Sequence, residues 1–361
     1  MSQLGLSIYP DYSNERDVLD YIDLGAQYGF TRVFTNLLGV TKNDKKYLKA
    51  FEKEVSYASE KGMKVVVDIN SQVLKNLSLT YNDLSYFKDL GVSGIRLDAG
   101  FSALEGAEMT FNEQGLDIEL SISVGNKYLD DILAHMPNQT TLLGCHNFYP
   151  QRYTGLSYDH FIKTSAQFKN KGIRTAAFVT SQNAKKGPWS VMEGLPTLES
   201  HRDLPLEVQA KHLLMSRVID DIIIGNAFAS DNELKRLAKL KRYIPTYNVH
   251  LNSEISQLEK EIALEEPHFN RGDVSDYVIR STQSRVKYKG HSFPPYNTKD
   301  IEQGDIIILN NNYEHYAGEM QIALKKMKNN NARNVIGKIK EEELFLLNLL
   351  EPWEKFQLKK D

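Results

Sequence analysis

Cysteine is almost absent from this sequence: Cys145 is the one cysteine in 361 residues. An intrachain disulfide framework is excluded, and the usage fits a reducing compartment. Positive charge is not in excess. Lys and Arg number 44 against 47 Asp and Glu, a formal net charge of −3. A dedicated nucleic-acid binder carries a basic surplus, so that class loses weight. No run approaches the roughly 18–20 apolar residues of a membrane-spanning helix. The start, Met1-Ser2-Gln3-Leu4, lacks the basic and apolar regions of a secretory signal. Neither a G-x-S-x-G nucleophile elbow nor a G-x-x-x-x-G-K-[ST] phosphate loop occurs. A hydrophobic content of 41 % suffices for a sizeable core and excludes wholesale disorder. The expectation is a cytoplasmic enzyme with no membrane or nucleic-acid partner.

What is present is an alternation. Eight short apolar or β-branched runs read as strands: Leu4–Pro10, Arg32–Leu38, Lys64–Asn70, Gly94–Gly100, Asp117–Ser123, Thr141–Tyr149, Arg174–Ser181 and Asp221–Asn226. Near-continuous centres such as Val65-Val66-Val67 suit parallel strands covered on both faces. Amphipathic stretches separate them. In Leu48–Lys61, Leu48, Phe51, Val55 and Ala58 fall on one side of a helix. Gly29, Gly62, Gly91 and Gly172 stand where helices should stop, supplying the left-handed cap that other residues resist. Ser230-Asp231-Asn232-Glu233 reads as a capping box, and Ser157 and Thr80 as N-caps. The strands recur about every 30 residues, the length of a βαβ unit. An open doubly wound sheet would be the alternative, but no glycine-rich dinucleotide fingerprint follows the first strand. Eight units therefore predict an α/β fold, a closed (β/α)8 TIM barrel over residues 1–240.

After a linker at Lys241–Pro245, turn signals such as Asn310-Asn311-Asn312 and Asn329-Asn330-Asn331 divide strand-like runs. These are Asp276–Arg280, Asp305–Leu309, Val335–Lys340 and Leu344–Leu350, with one helical stretch at Ile255–Leu264. A small, mainly β domain is expected over 243–361.

Barrel enzymes place their chemistry at the C-terminal ends of the strands. Strand one ends in Tyr9-Pro10-Asp11, strand two near Asn36, strand three in Asp68 and strand four in Arg96-Leu97-Asp98. Strand five ends near Ser121 and Ser123. Strand six ends in Cys145-His146-Asn147-Phe148-Tyr149, and strand eight in Gly225-Asn226. The long step after strand seven holds Trp189, Glu193, Glu199, His201 and Arg202. Carboxylates among amides and aromatics suit carbohydrate chemistry. One carboxylic acid protonates the leaving oxygen, and a second group stabilises or attacks the oxocarbenium-like centre. Asp98 and Asp68 are the expected catalytic pair. Asn36, Arg96, His146, Asn147, Tyr149, Trp189, Glu199 and Asn226 are expected to contact substrate. Glu119 lies near the start of its strand, on the side that serves stability. Cys145 reads as a buried small hydrophobe. A metal site from Asp68, Asp98, His146 and His201 matches no ligand spacing, and no metal or cofactor is assigned. In the second domain, Arg280-Ser281-Thr282-Gln283-Ser284-Arg285 presents two guanidinium forks and hydroxyls, suited to a phosphate. The expected phosphate contacts are Arg280, Ser284 and Arg285. Tyr316-Ala317-Gly318-Glu319-Met320-Gln321 is a second candidate contact segment.

Several of these segments together resemble a known family. Gly5-Leu6-Ser7-Ile8-Tyr9-Pro10, Arg96-Leu97-Asp98-Ala99-Gly100-Phe101 and Cys145-His146-Asn147-Phe148-Tyr149-Pro150 are similar to the bacterial 6-phospho-N-acetylmuramidases. So are Gly187-Pro188-Trp189, the run Glu193–Arg202, Ile224-Gly225-Asn226-Ala227, Arg280–Arg285 and Tyr316-Ala317-Gly318-Glu319. The resemblance implies a barrel followed by a cyclophilin-like domain. It also implies intracellular hydrolysis of N-acetylmuramic acid 6-phosphate–N-acetylglucosamine in peptidoglycan recycling. The roles of acid and nucleophile, and the oligomeric state, a homodimer included, stay open. A metal-dependent sugar-phosphate isomerase or aldolase, and a non-catalytic phosphosugar sensor, are the competing functions.

Overall fold

The computed structural model describes residues 3–10 and 13–360. Asp11, placed by the sequence at the end of the first strand, lies outside them. The chain divides into two compact units, 1–239 and 240–361.

In the first unit eight parallel strands close into a barrel in chain order. They are β1 (Leu4–Ser7), β2 (Arg32–Asn36), β3 (Lys64–Ile69), β4 (Gly94–Leu97), β5 (Asp117–Ser121), β6 (Leu142–Cys145), β7 (Arg174–Val179) and β8 (Asp221–Ile224). All eight expected strands are present, each shorter at its C-terminal end because the chain there leaves the ladder for the mouth. β1 closes the barrel by pairing with both β2 and β8. The amphipathic helix forms over Lys45–Glu60, burying Phe51, Val55 and Ala58. Gly29, Gly62, Gly91 and Gly172 all adopt positive φ, between +74° and +86°, at the expected helix ends. The capping box at Ser230 and the N-cap at Ser157 are both formed. Thr80 caps no helix. It forms an isolated bridge with Asp83, and the next helix starts only at Ser85, whose amide donates to the Asp83 carboxylate.

The second unit is a seven-stranded, mostly antiparallel sheet. Its strands are β9 (Thr246–Leu251), β10 (His268–Phe269), β11 (Val278–Ser281), β12 (Asp305–Leu309), β13 (Met320–Ala323), β14 (Arg333–Ile339) and β15 (Lys355–Lys360). Their order is β10-β15-β9-β14-β12-β13-β11. The apolar run Leu344–Leu350 is not a strand. Its residues 344–349 belong to a 3-10 helix, Glu341–Leu349, and Leu350 is the extended residue that caps it. Three glutamates in its first turn favour a helix N-terminus, and Leu is a helix former rather than a β-branched residue. Glu343 is buried there and accepts from the backbone and the side chain of Asn248, both at 2.8 Å.

Candidate active site

The barrel's register brings the polar residues of three strands to one level. Asn36 lies beside Asp68, and Asp68 beside Arg96. Alternate residues of a strand share a face. Asp98, two residues beyond Arg96, therefore joins the same mouth. There a cavity of about 150 Å³ is lined by Phe34, Leu38, Asp68, Arg96, Asp98, Asn147, Phe148, Phe178 and Trp189. Arg96 organises its polar side. Its Nη1 lies 2.8 Å from an Asp68 oxygen and 3.8 Å from an Asp98 oxygen. Its Nη2 donates to Asn147 Oδ1, which also accepts from Ser121 Oγ at 2.9 Å. Asp68 is buried, whereas the Asp98 side chain is 37 % exposed. Burial pushes the Asp68 carboxyl up to about 6, against the lowering pull of Arg96 and with a further rise from Asp98. The apolar side is an edge-to-face triad: Phe34 to Phe178 at 5.0 Å, Phe148 to Phe178 at 5.1 Å and Phe34 to Phe148 at 6.0 Å. Trp189, 41 % exposed, completes the rim. The long loop that carries it is tied to the end of β8 by a bridge between Lys186 and Ala227.

Of the expected contacts, Arg96, Asn147 and Trp189 line this cavity with the two aspartates. Asn36 stands at the same level, and its carbonyl accepts from Tyr47. Tyr149 is half-buried beside them in sequence, its amide bound to Pro196. Three expectations are corrected. His146 is fully buried and faces away from the mouth, because Cys145 and Asn147 occupy the inward face. Its ring nitrogens meet Ser123 and Ser165, it packs at a 33° tilt against Phe161, and burial pushes the imidazole down to about 3. Asn226 is a buried clamp whose amide bonds the backbone of Ser181 and Ala184. Glu199 is spent on the loops. It accepts from Arg202 and from the amides of Tyr153 and Gly155. Those bonds, with Arg202 first, hold its carboxyl down to about 2. The four residues weighed for a metal are not gathered either, since His201 pairs with His212 at 2.8 Å. Among the described residues no group of three His, Cys, Asp or Glu could hold a metal ion. Cys145 is buried and its thiol is pushed up by burial, as expected of a small hydrophobe. Reading alternation through the sixth strand would have excluded His146. Ser121 fixes Asn147, and its one signal in the sequence is its place at the end of the fifth strand.

Two family models match the chain. 6-Phospho-N-acetylmuramidase, N-terminal, matches residues 4–239, and 6-phospho-N-acetylmuramidase, C-terminal, matches residues 245–359. The chain belongs to the 6-phospho-N-acetylmuramidase family. That family is one of glycosidases with a phosphorylated sugar substrate. The chain is also similar to two solved structures over nearly its whole length. A protein from B. cereus, titled as uncharacterized, is 45 % identical with a TM-score of 0.92, covering 99 % of each chain. A conserved protein from Enterococcus faecalis, titled as of unknown function, is 25 % identical with a TM-score of 0.76, covering 100 % of this chain and 97 % of that one. No curated protein matches. No helix among the described residues is long and apolar enough to cross a membrane.

In the C-terminal unit of this muramidase-family chain, the two arginines of the phosphate candidate share one carboxylate. Glu319, fully buried, accepts from Arg280 Nε at 2.8 Å and lies 3.1 Å from Arg285 Nη1. Ser284 Oγ donates to the Gly318 carbonyl at 2.6 Å. Arg285 also lies over the Tyr316 ring, 5.1 Å from its centroid. Two guanidiniums around one carboxylate leave a local charge of +1. The segment Tyr316–Gln321 thus belongs to the same cluster.

Proposed function

We propose that this chain hydrolyses the β-1,4 bond of N-acetylmuramic acid 6-phosphate–N-acetylglucosamine in the cytoplasm, during peptidoglycan recycling. The observation that carries the mechanism is the pair of unlike carboxyls on one guanidinium. Asp68 is buried and raised toward neutrality, which suits a general acid. Asp98 is open to the cavity and suits the group that faces the developing positive charge. Asp68 gives its proton to the glycosidic oxygen, and the bond from that oxygen to the anomeric carbon breaks. Asp98 stabilises the resulting cationic centre. Water adds its hydroxyl to the anomeric carbon and its proton returns to Asp68. The aromatic side of the cavity and Trp189 offer faces on which a pyranose ring stacks. Arg280, Ser284 and Arg285 are assigned to the 6-phosphate, which the +1 charge of their cluster attracts. The reading of the second unit as cyclophilin-like rests on the family resemblance.

Mass-resolved product analysis tests this reading. Purified protein is given the phosphorylated disaccharide and its unphosphorylated counterpart. The wild type should cleave the phosphorylated sugar selectively, Asp98→Asn should lose about 10²–10⁴-fold in rate, and Arg285→Ala should lose the selectivity. No cleavage of either sugar by the wild type would overturn the proposal. Undiminished selectivity in Arg285→Ala would remove the phosphate assignment alone.

A further inference from the structure

An asparagine amide can be turned either way, but its neighbours settle the orientation of Asn147. Arginine has only donors to offer. The Asn147 atom that meets Arg96 Nη2 is therefore the oxygen, Oδ1. Ser121 Oγ contacts the same oxygen at 2.9 Å, so this hydroxyl donates. The backbone of Asn147 is fixed as well. Its amide donates to Ser123 Oγ at 2.8 Å, and its carbonyl accepts from Thr197 Oγ1 at 2.9 Å. One group remains. Nδ2 carries two hydrogens, has no partner among the described residues, and belongs to a side chain that lines the mouth. Two donors and a rigid backbone thus hold an open amide donor beside the carboxyl pair.

We infer that Asn147 Nδ2 donates to the carbonyl oxygen of the sugar's 2-acetamido group, with Ser121 as a positioning residue that locks the amide for this contact. The inference rests on the proposed function, which puts an N-acetylated ring in this mouth. A neutral acceptor is the group the geometry selects. Asp98 lies open in the same mouth and Arg96 is already engaged by Asp68 and Asn147, so nothing here favours an anion, whereas an amide carbonyl is a strong acceptor without charge. The contact discriminates, because a ring lacking the acetyl oxygen leaves Nδ2 desolvated and unpaired.

Calorimetric binding reads this contact independently of turnover. The ligands are N-acetylmuramic acid 6-phosphate and its analogue with a hydroxyl in place of the acetamido group. The wild type should prefer the acetamido sugar by about tenfold, the worth of one well-made hydrogen bond. Asn147→Asp keeps the acceptor that Arg96 and Ser121 use but has no amide donor, so it should abolish the preference. Ser121→Ala leaves Asn147 in place and should reduce the preference several-fold, which keeps the test open if Asn147→Asp is unstable. A purely structural role for either residue, or an electrostatic effect of the new carboxylate, changes both affinities alike. A preference unchanged in both variants, or absent from the wild type, overturns the inference. If the preference is found and lost as expected while the wild type turns over no disaccharide, the hydrolase reading fails and the contact stands.

Discussion

Asp68 sits where two opposing effects meet. Burial raises its carboxyl and the Arg96 guanidinium 2.8 Å away lowers it, with a balance near 6. If the protonated form does the work, activity is full well below pH 6 and falls as pH rises through that value. Removing the guanidinium takes away the lowering influence. Arg96→Gln should therefore move the alkaline limb of kcat/KM to higher pH while reducing its maximum. A profile that instead rises through pH 6 would make Asp68 a base. The same strand neighbourhood shows what was legible at this scale. That Asp68, Arg96, Asp98 and Asn147 stand at one mouth was legible from their places at strand ends. The orientation of His146 was not, because composition at a strand end says nothing about face. The two-residue period does, and it sends Cys145 and Asn147 inward and His146 toward the helix Tyr158–Lys169.

The elements of the barrel were readable because local chemistry and global fold agree. Glycine at four helix ends and serine at helix starts mark boundaries that tertiary packing then leaves unchanged. The second unit was harder. β13 is four residues long and β10 two, and the Leu344–Leu350 run carries no period that separates strand from helix. Charged loop residues were the least legible, since sequence does not show whether a carboxylate is spent on its own loop. Glu199 is. Its bonds to Arg202, Tyr153 and Gly155 hold together the segments after β6 and β7. Its depressed carboxyl contributes stability above the ordinary glutamate range, and that stability is lost as pH falls from about 4.5 to about 2. Glu199→Gln should cost about 2–3 kcal/mol at neutral pH, read by denaturant unfolding. The deficit should shrink as pH falls through about 2, where the wild-type carboxyl itself becomes neutral. A pH-independent deficit would mean that packing, not charge, is what Glu199 supplies.

Across the whole barrel, charge is divided between two ends with different tasks. The mouth keeps Asp98 open and Asn147 with a free donor. The opposite end is closed by ion pairs. There Arg174 Nε donates to Asp221 at 2.8 Å and Arg32 lies 3.5 Å from Asp221; Arg32 also contacts Glu119, which stands higher in the barrel, beside Arg96 in the register. Arg32, Glu119 and Asp221 are at most 3 % exposed. A buried ion pair adds little over an apolar replacement, but breaking one partner strands the other charge. Asp221→Ala should therefore cost about 3–5 kcal/mol by taking from Arg174 and Arg32 the carboxylate they share. Its kcat at a temperature where it is folded should stay within a few-fold of wild type. Asp98→Asn should show the reverse, an unchanged unfolding midpoint and a lost rate, because its side chain is open and 3.8 Å from Arg96. Measuring both quantities on both variants separates the two ends. An Asp221 variant that keeps its stability and loses its rate would place the lower charge cluster in the chemistry, and the division would fail.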